Sequence, residues 1–309
     1  MDQRTHATAM DRRRRFLHNP AMTALPQIFD RRLLRHRLAR AADGWAGHDF
    51  LRREMVERLA DRLLDLDRRF ARAVEIDARD GLLAAHPAVA ARVARLDSLA
   101  LTAKLADGRR PAAVADGEAL PLAEGALDAL FSVGGLHAMN DLPGCLVQIR
   151  RALVSDGLFL GVILGGESLS ELRAAITAAE SEVEGGVSPR VAPSVDVRDL
   201  GGLLQRAGFA LPVVDADRLT VTYDDVFALM RDLRGMAEGN LLHGRRRDFS
   251  RRATFLRMAE IYHARHATAD GRVAATFELL FMTAWAPGAG QQRPLRPGSG
   301  DRALGDALR

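Results

Sequence analysis

From Asp49 onward, apolar positions recur at three- and four-residue spacing: Leu51, Met55, Val56, Leu59, Leu63 and Leu66 stand among arginines and glutamates. That spacing predicts a helix with one buried stripe. Beyond it the pattern changes to short apolar runs at 71–76, 93–96, 112–115, 127–133 and 158–164, each the length of a strand buried on both faces. Helix-compatible stretches at 82–91 and 141–153 separate them. Strand alternating with helix predicts a parallel sheet with helices on both faces. Further on, Ser168-Leu169-Ser170-Glu171 reads as a capping box that opens a helix to about residue 182. A helix over 197–207 closes on Gly208, strands follow at 211–214 and 219–223, and helices at 224–233 and 250–266 precede a last strand at 275–285.

The chain has 309 residues, 48% of them apolar, enough for the core of one elaborated domain. The longest apolar runs, 130–139 and 157–166, are broken by glycine and strand-sized, so a soluble chain with no membrane span is expected. A lone cysteine, Cys145, leaves no disulfide framework and no cysteine-cluster metal site, and suits a reducing compartment. Of 44 basic residues all but Lys104 are arginine. Residues 1–70 hold 16 arginines to 10 acids, and the remainder 28 basic to 30 acidic residues. The body is thus close to neutral, and a nucleic-acid partner is not expected. The Arg12 to Arg15 run lies in a segment, 1–25, read as a disordered basic extension, and residues 287–309 read as a disordered tail. One domain is left over 26–286, with a helical lobe at about 222–270.

A sheet of this kind binds ligands at the carboxyl ends of its strands. The first strand ends in Val74-Glu75-Ile76-Asp77-Ala78-Arg79-Asp80-Gly81, and Asp97 stands 20 residues after Asp77. An acid at that distance suits the hydroxyls of a ribose. After the third strand, Asp116-Gly117-Glu118 offers a carboxylate to an adenine amino group. His137 follows the fourth strand, beside Asn140 and Asp141, and is the candidate general base; the plainer role is a loop histidine next to an Asp141 helix cap. His263 and His266 share a helix face without a carboxylate partner at metal-ligand spacing, so no metal site is expected.

Residues 71–166, with Glu75, Asp97, Asp116-Gly117-Glu118-Ala119-Leu120-Pro121, Leu127-Asp128 and a Ser155-Asp156-Gly157 turn, resemble the class I S-adenosylmethionine (SAM) dependent methyltransferases. Their fold is a Rossmann-like α/β sheet of seven strands, the last antiparallel, here with a helical insertion before that strand. Ile28-Phe29-Asp30-Arg31, His137 to Pro143, Ser188-Pro189, Arg206-Ala207-Gly208-Phe209 and Met236-x-Glu238-x-Asn240 are similar, more narrowly, to the complex I (NADH:ubiquinone oxidoreductase) assembly factor 5 family, over about residues 26–286. The resemblance implies a protein substrate, a complex I subunit among the candidates, in bacterial cytoplasm or the mitochondrial matrix, and methyl transfer or arginine hydroxylation as the chemistry. A carrier-protein O-methyltransferase is a more distant relation. It also implies SAM as cofactor, with Glu75 toward its amino group, Asp97 at the ribose and Asp116 at the adenine, and Asp77, Arg79, Gly81 and Gly117 around it. The departure is local: Asp77 and Arg79 occupy the first two glycine positions of the loop, where side chains crowd the ligand, though Arg79 could instead pair with its carboxylate. An assembly chaperone that has lost SAM is the alternative this departure raises.

Overall fold

The computed structural model describes residues 27–106 and 112–292; the expected extension 1–25 and the tail beyond 292 lie outside them. Helix α1 (Arg31–Ala41) starts at Asp30, whose side chain accepts a hydrogen bond from the Leu33 amide, and runs into a short 3-10 turn, Ala42–Gly47. Helix α2 (Phe50–Leu64) is the one the leucine spacing predicts, and it buries Leu51, Met55, Val56, Leu59 and Leu63. Then come β1 (Phe70–Ile76), α3 (Leu82–Ala85), α4 (Pro87–Arg92), β2 (Val93–Ala100), α5 (Ala103–Ala106), β3 (Ala112–Val114) and β4 (Leu127–Val133). The second half comprises α6 (Leu142–Ala152), β5 (Leu153–Leu164), α7 (Ser170–Glu184), α8 (Val197–Arg206), β6 (Ala210–Tyr223), α9 (Val226–Gly235), α10 (Arg252–His266) and β7 (Val273–Trp285).

The seven strands form one sheet in the order β3-β2-β1-β4-β5-β7-β6. β7 alone runs antiparallel, to β5 and β6 on either side. Apolar side chains of β1, β4 and β5 alternate between two clusters, one under α2, α7, α9 and α10 and the other under α6 and α8. The helices inserted between β6 and β7 therefore share the main core. A third cluster sits above the carboxyl ends of the strands, where Leu34 and Leu38 of α1 meet Leu101, Leu105, Trp45 and Leu241. Among the described residues no helix is long and apolar enough to cross a membrane.

Four local expectations change for stated reasons. The helix expected at 82–91 is two, because Pro87 forces His86 into extended backbone (φ −72°, ψ 130°). Ser168 and Glu171 form no capping box: α7 starts after Leu169 in the left-handed region, Ser168 Oγ pairs with the backbone of Glu278, and Glu171 reaches Thr276 in β7. β6 is continuous through its polar middle, since an exposed edge strand tolerates Asp215 and Asp217, both held by Arg62 of α2. The Ser155-Asp156-Gly157 turn is a bulge inside β5, where the register with β4 shifts between Leu127 and Ala129. Past β7, Gln291 still donates to Asp156 and to the Ala286 carbonyl.

The face of α2 provides a paired test. Leu63 is fully buried and Leu64 is 46% exposed. Leu63→Ala is expected to lower stability by about 2–5 kcal/mol and Leu64→Ala by less than about 0.5 kcal/mol, read from urea denaturation midpoints; similar losses would mean that the helix is turned.

Candidate functional site

The carboxyl ends of β1 and β4 are bound together by arginines reaching in from the covering helices. Glu75, fully buried in β1, is ion-paired with Arg52 of α2. Arg52 also lies 2.8 Å from Asp80, donates to the Val133 carbonyl, and is itself buried. Asp80 accepts the Trp45 indole N–H at 3.0 Å. Burying an arginine among two carboxylates and a carbonyl compensates its charge, and removing the arginine would leave both buried carboxylates without that counter-charge.

Asp77, the first residue after β1, has φ 54°, a left-handed conformation that costs a residue with a side chain but not glycine. The backbone here is thus in a conformation natural to glycine while the position carries a carboxylate. That side chain fills the space between the loops following β3 and β4. A Cβ at Gly135 would lie 2.4 Å from the Asp77 Cβ, and one at Gly117 would lie 3.3 Å from Asp77 Oδ2. Asp77 Oδ2 has no hydrogen-bond partner. Burial pushes its carboxyl pKa up, against the pull of Arg31 and Arg79.

Neighbouring residues are turned to the same closed arrangement. Arg31 of α1 pairs with Asp116 at 2.6 Å and donates to the Ala138 carbonyl, and Arg35 holds the other Asp116 oxygen at 3.1 Å. Asp116 therefore faces α1. Arg79 donates to the Gly134 carbonyl at 2.7 Å and to Glu238 at 2.9 Å, with its guanidinium 5.7 Å from the Trp45 ring centre. Gly81 supplies the left-handed turn before α3, and Gly117 is buried beside the Met139 side chain. Asp97 is not brought into this group. β2 runs on to Ala100, so Asp97 sits mid-strand opposite Val74, paired with Arg95 at 3.0 Å. Its expected place is taken by Leu99, Ala100 and Leu101, all buried.

The hollow left among Leu34, Leu38, Asp77, Arg79, Leu101 and Leu105 measures about 10 Å³. That is room for about one water molecule, whereas ligand pockets run to about 300–1,000 Å³. Asp77 and the α1 leucines fill the crevice over β1 and β2, and no carboxylate stands at the end of β2 to receive a ribose. These residues do not fit SAM.

A second space beside it is open. A cleft of about 890 Å³ lies at the carboxyl ends of β4 and β5, walled by α1 and its 3-10 turn, by α7, and by α9 with the segment after it. His137, in a 3-10 turn (Leu136–Ala138) after β4, lines it. His137 Nε2 is 3.0 Å from Glu238, and Nδ1 is without a partner. Glu238 is the residue sequence reasoning missed; it stands 101 positions away, inside the Met236-x-Glu238-x-Asn240 motif, which was its only signal. Burial pushes its carboxyl upward, but His137 and Arg79 overcome that and hold the pKa at about 2, below the ordinary 4.5. A histidine oriented by a carboxylate can take or give a proton at its other nitrogen.

The other polar residues singled out divide between lining and bracing. Asp141 caps α6 through the Gly144 amide, and Asn140 clasps Phe29 through its amide and carbonyl. Ser188 and Arg190 are held by Glu180, and Asn240 donates to the Pro189 carbonyl at 2.8 Å; Arg190 and Asn240 also line the cleft. Tyr223 donates to Asp232, which pairs with His48 at 2.6 Å on the cleft wall. Cys145 is buried in the core, and that burial raises its thiol pKa. Among the described residues no cluster of three His, Cys, Asp or Glu is placed to hold a metal ion.

Residues 63–161 match a sequence-family model described as a methyltransferase domain. The chain is 37% identical to "Arginine-hydroxylase NDUFAF5, mitochondrial" of Danio rerio, over 90% of this chain and 89% of that protein. It is 32% identical to the malonyl-[acyl-carrier protein] O-methyltransferase of Gallionella capsiferriformans, over 84% of this chain and 92% of the other. In structure it is similar to a methyltransferase-fold protein of Bacillus halodurans, with a TM-score of 0.51 at 15% identity, over 75% of this chain and 98% of that one. At that identity the likeness speaks for the fold.

The Glu238 pKa fixes a pH dependence. A carboxyl held below its ordinary value stabilises the fold above pH 4.5, and this contribution is lost as pH falls toward about 2. Glu238→Gln is expected to cost on the order of 3 kcal/mol near neutral pH and to flatten the fall in stability below about pH 5. Urea denaturation across pH checks this; a variant that parallels the wild type in acid would show that Glu238 is not the group responsible.

Proposed function

The chain belongs to the complex I assembly factor 5 family, within the methyltransferase superfamily, and from that premise we propose that it serves respiratory complex I assembly by holding a segment of a protein partner in its large cleft, without taking a methyl group from SAM. The observation that carries this reading is the contrast between the two spaces. The crevice over β1 and β2 has room for about one water, while the cleft beside it measures about 890 Å³. The family's curated members are named as arginine hydroxylases, and more distant relatives as O-methyltransferases, so one scaffold carries different chemistry. A chain that keeps the scaffold and its cleft while filling the cofactor crevice keeps partner binding.

A second reading retains chemistry on the bound segment, and a single feature favours it: His137 lines the cleft braced by Glu238, with its Nδ1 buried and unpartnered, so that this nitrogen must be uncovered before it acts on a held group. Such a histidine can remove a proton from a held group, although an added oxygen would also need an oxidant from outside the chain.

Isothermal titration of the full chain with SAM, up to millimolar concentration, is expected to give no saturable heat. Saturable micromolar binding would overturn the reading. Deleting the gene in the source organism is expected to deplete assembled complex I on native gels, with recovery by the wild-type copy and by Asp97→Ala. Mass spectrometry of the captured partner then separates the readings: an unmodified segment supports holding, an added oxygen supports the second reading, and an added methyl dependent on this chain overturns the first.

A further inference from the structure

Six arginines line the large cleft (Arg37, Arg40, Arg173, Arg190, Arg231 and Arg234), with Glu238 as the one carboxylate among its lining residues. Glu238 is engaged by Arg79 and His137, and Arg190 is neutralised by Glu180. Among the described residues the other five arginines have no carboxylate within ion-pair distance. Arg37 donates to the Asn240 carbonyl and Arg173 to the Gly166 carbonyl, both neutral acceptors. Arg37 is half-buried, and that burial with the like charge of Arg245 lowers its pKa, against the opposing pull of the Asp30 carboxylate, which lies beyond ion-pair distance. Outside the cleft the buried arginines Arg31, Arg52 and Arg79 have carboxylates, while exposed ones such as Arg32 and Arg252 stand in solvent. What distinguishes the cleft is that five arginines without a carboxylate converge on one apolar hollow.

We propose that the cleft binds an acidic segment of a protein partner, with Asp or Glu side chains spaced between apolar ones, its carboxylates pairing with Arg37, Arg40, Arg173 and Arg234. This rests on the protein-partner reading above and supplies its chemical class. The chain's own ends do not complement the site, because residues 1–26 hold five arginines to two aspartates and residues 293–309 hold four to two. Between the arginines the lining is apolar, from Leu169, Leu172, Ile176, Leu233 and Met258 with Phe29 and Phe255. That mainly aliphatic surface suits the apolar side chains of a peptide that alternates them with acids. The volume suits a few residues of extended chain. A bare arginine would be repelled here, so a target arginine enters with carboxylates flanking it.

Fluorescence anisotropy with a labelled octapeptide that alternates leucine with aspartate and glutamate tests the proposal on the full chain. Saturable binding is expected, about tenfold weaker for the Asn/Gln isostere and about tenfold weaker after Arg37→Gln or Arg234→Gln. Added salt is expected to weaken it steeply. Arg32→Gln, on the exposed side of α1, controls for folding and leaves affinity unchanged. Equal affinity for acidic and isosteric peptides would overturn the proposal, as would tighter binding to a single-stranded oligonucleotide or to anionic lipid vesicles. SAM titration reads the preceding section's claim by itself, so failure of one is distinguishable from failure of the other.

Discussion

Buried guanidinium groups must find carboxylates, and that requirement organises the carboxyl end of this sheet. Arg31 and Arg52 reach it from the covering helices and Arg79 from the loop after β1, and their carboxylate partners are Asp116, Glu75 with Asp80, and Glu238. Stripping a charge of water costs several kcal/mol per ion, so each pair commits both partners and the segments that carry them. The loop after β1 is drawn against β4, α1 is pinned over the end of β2, and the segment after α9 is fastened to the floor of the cleft. The closed crevice and the open cleft beside it are consequences of where those pairs lie.

The closed space holds a conflict that the pairs keep in check. Asp77 adopts glycine's backbone conformation and buries a carboxylate with an unpartnered oxygen, both unfavourable alone. Arg31 and Arg79 offset it electrostatically, and the leucines of α1 offset it by packing. The loop after β1 is thereby an internal contact of the fold. Local strain of this kind persists when the surrounding structure over-determines it, and here two arginines and an apolar cluster do so.

How far the sequence disclosed all this depends on the range of the interaction. The strands β1 and β4, the helix α2 and the cap at Gly208 come from spacing and turn chemistry, which are local, and they stand where the periodicity puts them. Asp97 misled because a spacing of 20 residues says nothing of where β2 ends, and Leu99 to Leu101 extend the strand past it. The Ser168 and Glu171 pair misled because β7, more than a hundred residues later, competes for the same oxygens and wins. Helix α1 was overlooked beneath its arginines, although Leu34 and Leu38 are one turn apart and Asp30 caps it. Glu238 stood in a motif without a role for a plainer reason: an acid between small residues acquires meaning only when His137 and Arg79 are folded against it.

One scaffold can thus change occupation by moving charges while the sheet stays as it is. The strand order and antiparallel β7 are those of the methyltransferase fold, and they hold the carboxyl ends of the strands in position whatever lies above them. A bound ligand stabilises such a site only while it is present. Ion pairs to covering helices do so permanently, and they leave nothing to exchange. Beside them lies the open cleft, lined by five arginines that have no carboxylate among the described residues and by His137, whose Nδ1 is buried without a partner. A charge left unmatched at the edge of an apolar cleft is stabilised by an anion that enters it, and there Arg37 and Arg173 meet only neutral carbonyl acceptors.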